Sequence, residues 1–127
     1  MGNSLRVVVI EDDPDLRSLI KLTLEFTASW DVTTAEDGAS GIETVRAIKP
    51  NVVVVDLMMP GMDGYEVCRR LKAEPETAAI PLVMLTARTT LDDGQLEELD
   101  VAGVVFKPFD PDKLAERVRE LAGVQDG

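Results

Sequence analysis

Residues 52–55 are four consecutive valines, and this run constrains the fold of the 127-residue chain more than any other stretch. A strand with one face in water alternates apolar and polar residues, whereas an unbroken β-branched run indicates a strand buried on both faces of a parallel sheet. The run ends at Asp56, before a loop rich in proline and glycine. Ligands of open α/β sheets bind beyond the carboxyl ends of the strands, so Asp56 either simply ends a strand or carries chemistry.

Strand-like and helix-like segments alternate five times along the chain. Connections this short allow only right-handed parallel crossovers, so the predicted fold class is α/β, a doubly wound three-layer (βα)5 arrangement. We expect one domain over residues 1–127, with a core at about 5–122 and a short tail at 123–127. Strands are predicted at 6–10, 31–35, 52–56, 80–85 and 104–106, and helices at about 14–27, 38–49, 64–75, 91–99 and 110–121.

The sequence predicts a structural role for each of three further residues. Gly94 lies inside the fourth helix, where glycine costs about 1 kcal/mol relative to alanine, so this helix should be the weakest. Cys68 falls on the apolar face of the third helix and is expected to be a small buried residue. Trp30, just before the second strand, is expected to pack at a rim of the core.

The composition excludes several classes of function. Lysine and arginine total 13 against 24 acidic residues, giving a formal charge of −11 spread along the chain, so direct contact with nucleic acid is not expected. A single cysteine excludes an internal disulfide, and no signal peptide or membrane span is recognisable, which favours the cytoplasm. The absence of histidine excludes Ser-His-Asp and Cys-His catalysis and the common zinc sites.

Polar residues follow four of the predicted strands at their carboxyl ends. Glu11 and Asp12 follow the first strand, Asp56 the third, Thr86 the fourth and Lys107 the fifth. Clustered carboxylates repel one another, and a divalent cation relieves that repulsion. Oxygen-only ligands favour Mg²⁺, and an aspartate can accept a phosphoryl group covalently, so the set suits metal-assisted phosphoryl transfer to Asp56.

The sequence resembles the receiver domain of bacterial two-component response regulators. The resemblance covers residues 6 to about 121 and rests on four stretches in order: Val-Val-Ile-Glu-Asp-Asp at 8–13, Asp-Leu-Met-Met-Pro-Gly-Met-Asp-Gly at 56–64, Leu-Thr-Ala at 85–87 and Lys-Pro-Phe at 107–109. It implies a flavodoxin-like fold with strand order 2-1-3-4-5. It also implies a partner, a sensor histidine kinase or a histidine phosphotransfer protein, whose phosphohistidine supplies the phosphoryl group.

The resemblance assigns roles to the candidate residues. Asp56 would accept the phosphoryl group, Thr86 and Lys107 would bind its oxygens, and Lys107-Pro108 would be a cis peptide. Mg²⁺ would be held by Asp12, Asp56 and the backbone carbonyl of Met58, with Glu11 acting through water. The chain would then signal through an unknown downstream protein, an appended output domain or a dimer that forms on phosphorylation, and would not turn over external substrates.

The chain departs from the family pattern in the segment between Thr86 and Lys107. Val104 stands where the family often has an aromatic switch residue, and Phe106, two positions on, is no substitute. Asp100 stands where the preceding helix usually ends in glycine, and the segment is about one residue short. Met58 and Arg88 occupy positions that tend to modulate phosphoryl lifetime in the family, although Arg88 could equally be a solvated side chain.

Two alternatives remain open from the sequence. The first is a pseudo-receiver, a docking module that keeps the fold without switching, which only Val104 and the irregular fourth helix favour. The second is a metal-dependent aspartyl-phosphate hydrolase acting on small molecules. Such enzymes need a further acid/base carboxylate and a substrate cap, for which 127 residues leave little room.

Overall fold

The computed structural model describes residues 4–87 and 92–124. Strands and helices alternate as the sequence predicts, and the α/β fold class is confirmed. The strands are β1 (Arg6–Ile10), β2 (Asp31–Ala35), β3 (Val52–Asp56), β4 (Leu82–Thr86) and β5 (Gly103–Phe106). The helices are α1 (Pro14–Ala28), α2 (Gly38–Ile48), α3 (Gly64–Ala73), α4 (Asp93–Leu99) and α5 (Pro111–Ala122).

The valine run lies in β3 at the centre of the sheet. All neighbouring strands pair in parallel in the order β2-β1-β3-β4-β5, which the family resemblance implied. Val53 and Val55 pack into an apolar layer with α2, α3 and α4, whereas Val52 and Val54 pack into the opposite layer with α1 and α5. None of the four valines is more than 1% exposed, so β3 is buried on both faces.

Each of the five helices in the described ranges begins after an aspartate N-cap. The cap side chain accepts a hydrogen bond from a backbone N–H of the first turn, and its charge complements the positive end of the helix dipole. These bonds lower the pKa of the Asp37 and Asp92 carboxyls. Five of the acidic residues therefore fix where helices begin: Asp13, Asp37, Asp63, Asp92 and Asp110.

The predicted start of β4 is wrong by two residues. The strand begins at Leu82, because residues 75–79 form turns after α3 and Ile80 lies in the bend that follows. The carbonyl of Pro81 already accepts a hydrogen bond from the Val53 N–H at 3.0 Å, although proline has no N–H to donate in return. An apolar residue before a proline was therefore mistaken for the first residue of the strand.

Helix α4 is the shortest helix in the described part of the chain, with seven residues and one buried side chain, that of Leu99. It ends at Asp100, which adopts the left-handed conformation with φ +51°, as expected for a position that usually holds glycine. The Asp92 N–H donates to the Tyr65 hydroxyl of α3 at 2.7 Å, which ties the start of α4 to the core. Leu91, predicted to begin the apolar face of α4, lies outside the described residues.

Trp30 does not pack at a rim. Its side chain is 3% exposed in the layer with α1 and α5, and Arg119 Cζ of α5 lies 5.5 Å from the centroid of its ring, a cation–π distance. Trp30 precedes the amino end of β2, so it lies at the edge of the sheet opposite to the candidate site.

Cys68 should resist thiol reagents in the folded protein. Its side chain is fully buried and burial raises the pKa of the thiol to about 12, so almost no thiolate is present near pH 8. We expect slow reaction with Ellman's reagent in buffer and complete reaction in denaturant. Rapid stoichiometric labelling of the native protein would show that α3 opens readily.

Candidate functional site

The candidate residues meet at the carboxyl edge of the sheet. Glu11 and Asp12 follow β1, Asp56 ends β3, Thr86 ends β4 and Lys107 follows β5. These four strands are consecutive neighbours in the sheet, which brings residues far apart in sequence to one edge.

Three carboxylates face one another at this edge. One oxygen from each of Glu11, Asp12 and Asp56 lies within 4.8 Å of the others. Glu11 is 1% exposed and Asp56 is 4% exposed, while Asp12 is half-buried. Burying like charges this close is unfavourable unless a proton or a cation compensates them, so the cluster could hold a cation.

Lys107 provides the only ammonium group that ion-pairs with these carboxylates among the described residues. Its Nζ lies 3.3 Å from Asp56 Oδ1 and 3.7 Å from Glu11 Oε1. The Lys107 N–H also donates to the Thr86 carbonyl at 2.8 Å, and the Lys107–Pro108 peptide is cis, as the resemblance implied. The lysine side chain is 30% exposed, so it bridges the buried acids and the solvent.

Glu11 is the electrostatically unusual member of the site. Its Oε2 accepts a hydrogen bond from the Asp13 N–H at 3.1 Å, but its buried Oε1 has no hydrogen-bond partner among the described residues. Burial, with a smaller contribution from Asp56, raises the pKa of Glu11 to about 8. An orphaned carboxylate oxygen beside two further acids indicates a place for an ordered water or a cation.

Asp56 is held in place by the loop that follows it. Its Oδ1 accepts from the Met58 N–H at 3.3 Å as well as from Lys107. Met58 is 59% exposed, and its carbonyl as a metal ligand stays a prediction. Thr86 is 1% exposed and its hydroxyl donates to the Ala87 carbonyl at 3.2 Å. Arg88 lies outside the described residues.

Gly64 has a role in the site that sequence reasoning missed. Its N–H donates to the Leu57 carbonyl at 2.8 Å, and a Cβ atom at Gly64 would lie 2.6 Å from the Asp56 carbonyl oxygen and 2.7 Å from Leu57 Cα. The start of α3 therefore packs directly on the backbone of the candidate acceptor. The sequence shows only that a glycine follows the N-cap Asp63, which does not reveal the contact.

The contribution of Glu11 to the stability of the metal-free protein should fall as the pH rises from about 4.5 toward 8, because folded Glu11 keeps its proton over this range while the unfolded chain releases it. Glu11→Gln cannot ionise, so this part of the pH dependence should disappear. Denaturant unfolding in EDTA at about pH 5 and about pH 8 measures it, with exposed Glu116→Gln as the control. Equal pH dependence in all three proteins would contradict the prediction.

Comparison with known proteins places the chain among signalling modules. Residues 7–119 match the family described as "Response regulator receiver domain". The "DNA-binding response regulator MtrA" of Mycolicibacterium smegmatis is 39% identical over 115 residues, which is 90% of this chain and 49% of that protein. The chain spans about half the length of the curated relatives it matches.

Solved structures agree on the fold. The signal receiver domain of a histidine kinase from Syntrophus aciditrophicus has a TM-score of 0.82 and 27% identity, covering 94% of this chain and 91% of that one. The receiver domain of the Pseudomonas aeruginosa sensor histidine kinase PA1611, solved with magnesium coordinated in its active-site cleft, has a TM-score of 0.84, covering 96% of this chain and all of that one. At 21% identity the second likeness concerns the fold alone.

Proposed function

The chain belongs to the response regulator receiver domain family, and from that premise we propose that Asp56 accepts a phosphoryl group. The observation that carries the proposal is the convergence of three carboxylates within 4.8 Å, with the Lys107 ammonium 3.3 Å from Asp56. A purely structural strand end needs neither the neighbouring acids nor the lysine. The arrangement instead supplies a nucleophile, a cation site and a phosphate-binding group at one edge.

The residues present fit a magnesium ion. The donors are oxygens only, and Glu11 Oε1, which makes no hydrogen bond to any described residue, offers an acceptor for a metal-bound water. Asp12, Asp56 and the Met58 carbonyl would hold the ion directly. When bound, Mg²⁺ would neutralise charge on the phosphoryl oxygens. The magnesium in the Pseudomonas receiver domain, with which this chain shares the fold, accords with that assignment.

In the proposed reaction, an Asp56 carboxylate oxygen attacks the phosphorus of a phosphohistidine. The new P–O bond forms as the P–N bond breaks, and the imidazole leaves on the partner and takes a proton from solvent. Lys107 Nζ lies 3.3 Å from Asp56 Oδ1 before the reaction. It would then form an ion pair with a negatively charged phosphoryl oxygen. The Thr86 hydroxyl would rotate away from the Ala87 carbonyl to donate to another phosphoryl oxygen.

The proposed partners follow from the family. Because the chain belongs to the response regulator receiver domains, we propose a histidine kinase or a histidine phosphotransfer protein as the phosphoryl donor. Receiver domains of response regulators are generally not turnover enzymes on external substrates, and we propose the same for this single-domain segment. No described helix has the length and apolar character to cross a bilayer. We propose that the segment acts in the cytoplasm, through protein contacts or a phosphorylation-dependent dimer. Its net charge of −11 disfavours direct contact with DNA.

Incubation with acetyl phosphate and Mg²⁺, followed by intact mass measurement, tests the proposal. One added phosphoryl group that EDTA prevents is the expected result. Buried Trp30 lies at the opposite edge of the sheet, so fluorine NMR of a beryllofluoride adduct is a better second probe than its fluorescence. No adduct by either method would favour the docking-module alternative, and turnover of an aryl phosphate would favour the hydrolase.

A further inference from the structure

Arg17, in the first turns of α1, bonds to three successive carbonyls of the loop between β1 and α1. Its backbone N–H donates to the Asp13 carbonyl at 2.8 Å. Its side-chain Nη1 donates to the Glu11 carbonyl at 3.0 Å and to the Asp12 carbonyl at 3.3 Å. A single residue therefore satisfies every carbonyl of the loop that carries two of the three clustered acids.

The other hydrogen bonds of this loop in the described ranges do not involve the carbonyls of Glu11 and Asp12. The Glu11 N–H continues the sheet by donating to the Ala35 carbonyl at 3.0 Å, and the Asp13 N–H donates to the Glu11 carboxylate. Without the Arg17 side chain, the carbonyls of Glu11 and Asp12 would have no hydrogen-bond donor among the described residues. The Glu11–Asp12 peptide would then lose the donor to its carbonyl, and the Asp12–Asp13 peptide would be held only by the Asp13 N–H bond to the Glu11 carboxylate, so both peptides and the carboxylates they carry would be less firmly oriented.

We propose that Arg17 is a positioning residue for the acidic site. Its guanidinium fixes the peptide groups of Glu11 and Asp12, so that their carboxylates converge on the cation site beside Asp56. The inference rests on the proposed function, because it assigns to Arg17 a part in Mg²⁺ binding. It acts through the backbone of ligand residues and touches neither the metal nor the phosphoryl group.

The direction in which Mg²⁺ affinity changes when Arg17 is replaced distinguishes a positioning role from a simple effect of its charge. Arg17 is a positive charge bonded to the loop that holds two carboxylates, so by Coulomb's law alone its removal should strengthen the binding of a cation. Positioning predicts the reverse. Removal of a group that orients metal ligands usually weakens metal affinity by about 10-fold to 100-fold. We therefore expect Arg17→Gln to weaken Mg²⁺ binding by about 10-fold.

Isothermal titration with Mg²⁺ at low ionic strength tests the inference on Arg17→Gln and Arg17→Lys. Arg70→Gln is the matched control, because it removes the same charge from α3, where Arg70 is exposed and pairs with Glu66. Arg17→Lys keeps the charge, but its flexible ammonium cannot reproduce the position of Nη1, which donates to both carbonyls, so its dissociation constant should lie between those of the wild type and Arg17→Gln. Arg70→Gln should bind like the wild type.

The outcomes distinguish this inference from the proposed function. No Mg²⁺ binding by the wild type, or binding unaffected by Asp12→Asn, would overturn the function itself. Wild-type binding with equal or tighter binding by Arg17→Gln would overturn only the role of Arg17. If thermal unfolding in EDTA shows that Arg17→Gln does not fold, Arg17→Lys decides, since its charge is unchanged and only weaker binding supports positioning.

Discussion

Asp56→Asn should lower phosphorylation by acetyl phosphate by roughly a thousandfold or more, below detection by intact mass. The substitution replaces the carboxylate nucleophile by an amide of the same shape, so the fold is retained while the acceptor oxygen and its charge are lost. It also removes one of the two carboxylate charges that Lys107 pairs with, since its Nζ lies 3.3 Å from Asp56 Oδ1 and 3.7 Å from Glu11 Oε1. Mass measurement after incubation with the phosphodonor and Mg²⁺ reads out the effect directly.

Asp63→Asn is the matched control for this experiment. Asp63 lies in the same loop, is exposed, and caps α3 through the Glu66 N–H, a bond that asparagine can also accept. This variant should be phosphorylated like the wild type. A phosphoryl adduct on the Asp56→Asn protein would show that another residue accepts the phosphoryl group, and it would contradict the assignment of Asp56 as the acceptor.

The parts of the structure that the sequence predicted are those set by local pattern. The valine run predicted a doubly buried strand, and polar residues at strand ends predicted which side chains meet at one edge. Parallel pairing brings these side chains together, because β1, β3, β4 and β5 are adjacent and end at the same edge of the sheet. Glu11, Asp12, Asp56 and Lys107 accordingly lie together without any local signal linking them.

The parts that the sequence did not predict depend on contacts between distant segments. Trp30 is buried because α5 covers it, with Arg119 over its ring, and nothing next to Trp30 in sequence indicates that cover. Arg17 and Gly64 look like ordinary helix residues until the fold places them against the β1 and β3 loops. Spacing within one element cannot reveal contacts of this kind.

The region between β4 and β5 is where this chain differs from the usual family pattern. Val104 packs partly buried against the layer with α2, α3 and α4 and has no hydroxyl to form a hydrogen bond. The start of α4 is instead held by Tyr65 of α3, whose neighbour Gly64 rests on the Asp56 backbone. Residues 88–91 are outside the described ranges. Because Val104 replaces the aromatic switch residue, we expect activation to move the segment 87–103 with little side-chain rotation at position 104, and amide exchange with and without beryllofluoride tests this.

Gly64→Ala should destabilise the protein by about 3 kcal/mol and lower its melting temperature by roughly 10 °C. The added methyl would lie 2.6 Å from the Asp56 carbonyl oxygen and 2.7 Å from Leu57 Cα, and backbone atoms cannot turn aside as a side chain can. The start of α3 must then move away from β3 and break the Gly64 N–H bond to Leu57. Asp56 should shift with it, so phosphorylation should also slow.

Gly94→Ala makes the same chemical change with the opposite expected sign. Among the described residues, a Cβ at Gly94 would meet only Asp92 Oδ1, at 3.4 Å, and alanine is favoured over glycine in a helix by up to about 1 kcal/mol. Thermal unfolding of both variants beside the wild type separates the steric demand at Gly64 from the intrinsic cost of glycine. If Gly64→Ala were as stable and as readily phosphorylated as the wild type, α3 could shift freely, and its packing on the Asp56 backbone would not hold the site.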